Sequence, residues 1–241
     1  MKLKTLYIIV LALIMASIIL IMISSFSDIA HYTSTEPNAA PLKVIIDAGH
    51  GGEDGGAEAD GILEKDINLA ISRKLAEMLR RSGCDVTEVR DTDTAVYSEG
   101  ASTYREKKVS DLENRVKLFN SDENNIVVSI HQNKFGDSKY SGAQIFYSEN
   151  DPKSALLADC IRTAIVYQLQ PENTRELKKA GDDIYILKNA TVPALIVECG
   201  FISNDAERAL LTNESYQHKL AYAIAMGILG YSNTIKTEKE T

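Results

Sequence analysis

Short, mostly apolar runs alternate along this chain with longer stretches whose apolar residues recur every three or four positions. No other feature restricts the fold as much. The runs at 44–46, 184–187 and 194–197 are apolar throughout; those at 126–130 and 143–147 carry one polar residue each, Ser129 and Gln144, and 86–89 alternates as Val-Thr-Glu-Val. Such runs suit strands buried on both faces. Between them lies helical spacing. From Glu64 the residues Ile67, Ala70, Ile71, Leu75, Met78 and Leu79 share one face, and Gly83 stops the element. Further helices are expected over 112–119, from Pro152 to about 169, and over 214–229. This alternation predicts an α/β fold: three layers, αβα, with a twisted, mostly parallel sheet of about six strands covered by helices on both faces. The stretches 91–110 and 171–183 read as long polar loops, suited to walling a binding groove.

In a sheet of this kind ligands bind beyond the carboxyl ends of the strands. Three residues of catalytic type fall there: His50, His131 and Glu198 each follow an apolar run, and Glu64 opens the first long helix. Two imidazoles and one carboxylate are what a catalytic zinc ion takes from a protein, with a position left open. The fourth residue is then free to move protons. A metal-dependent hydrolase is the reading to test. Taken singly, each residue has a plainer role. Glu64 suits the positive end of a helix dipole, His131 suits a satisfied core histidine, and the glycine-rich stretch after residue 46 suits a turn or a phosphate loop. No Lys-Ser or Lys-Thr follows those glycines, which disfavours phosphate. A carboxylate at the end of a buried strand is costly unless paired or metal-bound, so Glu198 is the hardest to explain structurally. Its neighbour Cys199 should point to the opposite face, which argues against a Cys-His hydrolase.

The chain divides into residues 1–24, 25–41, 42–232 and 233–241. Lys2 and Lys4 precede 18 uncharged, largely apolar residues from Leu6 to Ile23, long enough for a membrane anchor or uncleaved signal. Residues 25–41 read as a linker, 42–232 as the catalytic domain and 233–241 as a frayed polar tail. The domain is therefore expected outside the cytoplasm, membrane-anchored or secreted. The net charge of −8 and the lack of a basic patch exclude nucleic acid as a natural partner. Cys84, Cys160 and Cys199 match no disulfide or metal spacing and read as buried small hydrophobes. His31 and His218 have no place in the site.

Four ordered segments carry a family resemblance. They are Val44-Ile45-Ile46-Asp47-Ala48-Gly49-His50-Gly51-Gly52; Leu63-Glu64-Lys65-Asp66-Ile67-Asn68-Leu69; Ser129-Ile130-His131-Gln132-Asn133; and Val192 to Asn204 around Glu198. Arg90 with Asp93, and Leu112 with Arg115 and Asn120, add to them. Over residues 43–231 the chain resembles the zinc-dependent N-acetylmuramoyl-L-alanine amidases (amidase type 3) of bacterial cell walls, and most of all their germination-specific, spore-cortex branch. The resemblance implies zinc ligands at His50, Glu64 and His131 and a catalytic glutamate at Glu198. Gln132 and Asn133, directly after His131, are placed to hydrogen-bond substrate or an imidazole nitrogen, and Arg115 is a further expected substrate contact. Gln132 and Lys134 depart from the small residues many members carry there. The implied substrate is peptidoglycan, cut between N-acetylmuramic acid and L-alanine during muramic-δ-lactam formation. The implied setting is the forespore intermembrane space, with an activating protein partner possible. The rival readings are a zinc carboxypeptidase acting on stem peptides and a non-catalytic peptidoglycan-binding module.

Overall fold

The computed structural model describes residues 40–240. The anchor expected at 1–24, and the linker before residue 40, lie outside the described residues. Among the described residues no helix is long and apolar enough to cross a membrane.

The chain builds β1 (Lys43–Ala48), a small hairpin of β2 (Glu58–Ala59) and β3 (Ile62–Leu63), α1 (Glu64–Arg81), β4 (Asp85–Glu88), α2 (Tyr104–Phe119) and β5 (Asn125–Asn133). There follow β6 (Gln144–Tyr147), α3 (Lys153–Gln168), β7 (Lys178–Lys179), α4 (Tyr185–Asn189), β8 (Ala194–Phe201), α5 (Asp205–Leu211) and α6 (Glu214–Glu240). Six strands form one sheet in the order β4-β1-β5-β8-β6-β7. The first four strands in that order run parallel; β6 runs antiparallel to β8, and β7 parallel to β6.

Strand residues alternate between two cores, as a period of two requires. Val44, Ile46, Val128, Ile130, Leu195 and Val197 pack with buried residues of α1, α3 and α6. Ile45, Val127, Ala194 and Ile196 pack on the other face with Phe119, Ile186 and Leu187 of α2 and α4. This is the expected three-layer αβα arrangement. Its chemical consequence is parity. Asp47, Ser129, His131 and Glu198 fall in step with the α2/α4 face, whereas Cys199 joins the opposite core.

Four elements differ from expectation. Residues 184–187 were expected as a strand, but α4 forms there. A short apolar run does not by itself separate strand from helix, and here the run closes a turn of helix that buries Ile186 and Leu187. The sixth strand comes instead from β7, inside the presumed polar loop 171–183. Helix α2 begins at Tyr104 rather than 112, because Thr103 and Glu106 form a reciprocal capping box. Finally, α6 does not fray after residue 232. It continues to Glu240, with Tyr231 buried and Ile235 packed against the core.

Candidate active site

The three parallel strands β1, β5 and β8 bring the chemistry to their carboxyl ends. His50 lies just past β1 with φ of 62°, a left-handed conformation rare outside glycine. Two buried guanidiniums hold that bend. Arg90 donates to the carbonyls of Ala48 (2.9 Å) and Gly49 (3.0 Å), and Arg115 to those of Ala48 (3.0 Å) and His50 (2.8 Å). Arg115 also pairs with Asp47 and with Asp111, and Ser129 donates to Asp47 at 2.6 Å. A buried polar tier thus lies directly beneath the site.

Glu64 arrives from a different direction. An Asp60-Gly61 turn with φ of 51° and 76° closes the β2–β3 hairpin, and α1 starts at Glu64 straight after it. The carboxylate accepts hydrogen bonds from the N–H of Ala57 (2.8 Å), the N–H of Gln132 (3.1 Å) and the Asn68 amide (3.2 Å). Its Oε1 stands 2.9 Å from His131 Nδ1 and 3.3 Å from His50 Nε2. Burial alone would raise its pKa, but those imidazoles and their charges hold it well below the usual carboxylate range.

His131 stands on β5 where the register with β8 shifts, a bulge of the kind that re-aims a side chain beside a functional site. Its ring packs over Gly49, where a Cβ would come within 2.2–2.7 Å of the imidazole. Gly56 is required for a similar reason: its φ is +70°, and a Cβ there would sit 2.6 Å from Glu64 Oε2. One donor atom from each of His50, Glu64 and His131 lies within 4.8 Å of the others, a spacing that fits a single metal ion. Burial tends to lower the pKa of His50, but Asp54 and Glu64 outweigh it and raise it from 6.5 to about 9 in the metal-free protein.

Glu198 is the register partner of His131 on the neighbouring strand and shares its face. Its Oε2 is buried and, among the described residues, has no hydrogen-bond partner. Burial pushes its pKa from 4.5 up to about 7; the nearby His131 and His50 oppose the rise and Glu64 adds to it. A carboxyl that exchanges its proton near neutrality, beside a metal cradle, is suited to general acid–base work. Cys199, on the other face, has its thiol pushed far up by burial, which leaves it inert as a nucleophile.

An open cleft borders this rim at His50 and His131. Its walls include Lys108, Asp111 and Leu112 of α2 on one side and residues 183–186 on the other. Two of the anticipated substrate contacts sit differently from that role. Arg115 borders the cleft but is only 2% exposed, with its donors engaged by Asp47, Asp111 and backbone carbonyls. Gln132 points to the α1 side, 3% exposed, and donates to Asn68 at 3.1 Å. Asn133 is half-buried at the strand end. Sequence reasoning assigned no role to Asp54, four residues after His50, whose Oδ2 lies 2.8 Å from His50 Nδ1. The i, i+4 spacing to a histidine was the available signal.

A rim so equipped belongs to an enzyme that breaks bonds rather than to a scaffold. The chain belongs to the N-acetylmuramoyl-L-alanine amidase family, whose model matches residues 44–230. It is 36% identical over 228 residues to the germination-specific N-acetylmuramoyl-L-alanine amidase of Bacillus subtilis, covering 92% of this chain and 93% of that one. Among solved structures it is similar to the CwlD amidase of Clostridioides difficile, determined in complex with the GerS lipoprotein. That match has a TM-score of 0.76 and 43% identity, and spans 80% of this chain and 99% of the other. The amidase AmiC2 of Nostoc punctiforme matches with a TM-score of 0.67 and 29% identity, over 81% and 99% of the two chains.

Proposed function

We propose that this amidase is zinc-dependent, that His50, Glu64 and His131 hold the metal, that Glu198 moves the proton, and that its substrate is cortex peptidoglycan. The observation that carries the reading is the buried Oε2 of Glu198, without a hydrogen-bond partner among the described residues, beside three converging metal-donor groups. Two imidazoles and a carboxylate are a donor set that zinc takes at catalytic sites. A zinc ion there supplies Lewis acidity toward the scissile carbonyl and lowers the pKa of a water toward ~7.

The chain's own groups do the rest. The cleft admits the lactyl–alanine amide from the open side. The Glu198 carboxylate takes a proton from the attacking water, and the resulting carboxylic acid gives it to the departing amine of L-alanine. Asp47 and Arg115 hold the bend that aims His50. Gln132 acts from behind the strand by fixing Asn68, and Asn133 is the contact left to face substrate.

The germination-specific relative supports a role in spore cortex maturation. The lipoprotein in the Clostridioides difficile complex supports an activating partner for this chain as well. Action outside the cytoplasm, behind an N-terminal segment at 1–24, completes the proposal. With α6 included, the catalytic unit runs from residue 42 to the end of that helix.

The test is digestion of purified peptidoglycan by the native protein, with and without chelator, with mass spectrometry of the fragments. Expected products carry a free L-alanine amine and a peptide-free muramic acid. Release of a terminal D-amino acid instead would favour a carboxypeptidase, and binding without cleavage a non-catalytic module. Glu198→Gln should retain zinc and lose activity by roughly 10²–10⁴-fold; full activity in that variant would sink the assigned role.

A further inference from the structure

Helix α2 lays one face along the loop that carries His50. Tyr104, the adjacent Lys107 and Lys108, Asp111 and Arg115 recur one helical turn apart, the spacing of a single helix face. Lys107 donates to Glu53 at 2.7 Å, Lys108 donates to Asp54 Oδ2, and the Tyr104 hydroxyl reaches Asp54 Oδ1 at 3.5 Å. The loop braces the same carboxylate from its other side. Gly56 N–H donates to Asp54 Oδ1 at 3.3 Å, and Asp54 and Gly51 exchange backbone hydrogen bonds of 3.0 and 3.1 Å. Asp54 is thereby held from two directions with Oδ2 turned to His50 Nδ1 at 2.8 Å. Because Nδ1 is engaged there, His50 offers Nε2 toward Glu64, 3.3 Å away.

We propose that Asp54, braced by Lys108, is a positioning residue that fixes the tautomer and aim of His50 at the metal. The proposal rests on the reading that His50 is a metal ligand. An imidazole that gives its second N–H to a carboxylate is locked in orientation and binds metal more strongly. The two histidines of the cradle are then located by different means. His131 is set by packing over Gly49, whereas His50 depends on a charge that α2 supports from outside the loop. This assigns α2 a role beyond walling the cleft: its Lys108 tunes how firmly the site keeps its metal.

Zinc affinity, measured on the full protein by competition with a chromophoric chelator, tests this. Asp54→Ala should weaken binding roughly 10- to 100-fold. Asp54→Asn keeps an acceptor without the charge and should lose less. Lys108→Met should weaken binding by a smaller factor than Asp54→Ala, and Lys108→Arg should restore it. The melting temperature of the metal-free variants should not follow this order, and excess zinc should recover turnover in Asp54→Ala. Affinity of Asp54→Ala within twofold of the native value overturns the proposal. So does a metal-free melting temperature that falls in step with affinity through the series. A native protein that takes up no zinc overturns both this proposal and the metal reading beneath it, whereas tight native binding with an indifferent Asp54 overturns this one alone.

Discussion

Asp47 shows how much of the site depends on a residue that never meets substrate. Its carboxylate is fully buried, paired with Arg115 and hydrogen-bonded by Ser129. Burial would raise its pKa, but the Arg115 charge and the Ser129 hydroxyl outweigh that and hold it below the ordinary carboxylate value. A carboxylate whose folded-state pKa is lowered stabilises the fold fully above the unfolded value of about 4 and loses that contribution as pH falls below it. Asp47→Asn should therefore lower stability at neutral pH by ~3 kcal/mol, the scale of breaking a buried ion pair. It should also flatten the acid side of the profile. Urea unfolding of the metal-free protein at pH 7 and pH 3.5 would check both; equal losses at the two pH values would count against the assignment. Gly49→Ala tests a different contact at the same scale. The new methyl would collide with the His131 ring, so zinc binding should fall sharply while circular dichroism stays native. Among single residues, Glu198 stood out in sequence because a carboxylate directly after an apolar run has few structural excuses; it lies within β8, which continues to Phe201. Asp54 was not legible, because its partners on α2 are 50 to 54 residues away in the chain.

At the scale of elements, the central strands β1, β5 and β8 could be read directly because each is largely apolar on both faces and bounded by polar turns. The elements misjudged are those whose identity is set by tertiary context. The run at 184–187 is apolar, yet it covers the α2 side of the sheet as a helix. The Lys178–Lys179 edge strand has no apolar signature at all. The early start of α2 was encoded in the Thr103-x-x-Glu106 capping box, a signal that apolar periodicity alone passes over. That first turn carries Tyr104, Lys107 and Lys108, so the cap bears on the site as well as on the helix. Thr103→Ala should cost about 1 kcal/mol of stability. It should also loosen the Glu53 and Asp54 contacts, seen as faster hydrogen exchange at residues 50–56; unchanged exchange there would separate the cap from the loop.

For the molecule as a whole, the three-layer architecture was legible because alternating strand and helix patterns admit few other arrangements. The two-sided parity of β5 and β8, which sends His131 and Glu198 one way and Cys199 the other, followed from the strand period alone. Metal binding should feed back on global stability. Zinc at 100 times its dissociation constant should add roughly 2.7 kcal/mol. For a domain of this size that raises the melting temperature by roughly 5–10 °C. Chelator should reverse the shift, and a melting curve indifferent to both would argue against a metal bound by the native state.

The four groups at the rim come from β1's end, α1, β5 and β8, and span His50 to Glu198. No contiguous fragment shorter than that interval holds them all. Backbone cleavage anywhere within it, or release of a nascent chain before β8 is made, separates Glu198 from at least one histidine unless the pieces remain assembled. The site is thus a property of the whole domain: a copy whose pieces come apart, or one released before β8 is made, lacks part of the set.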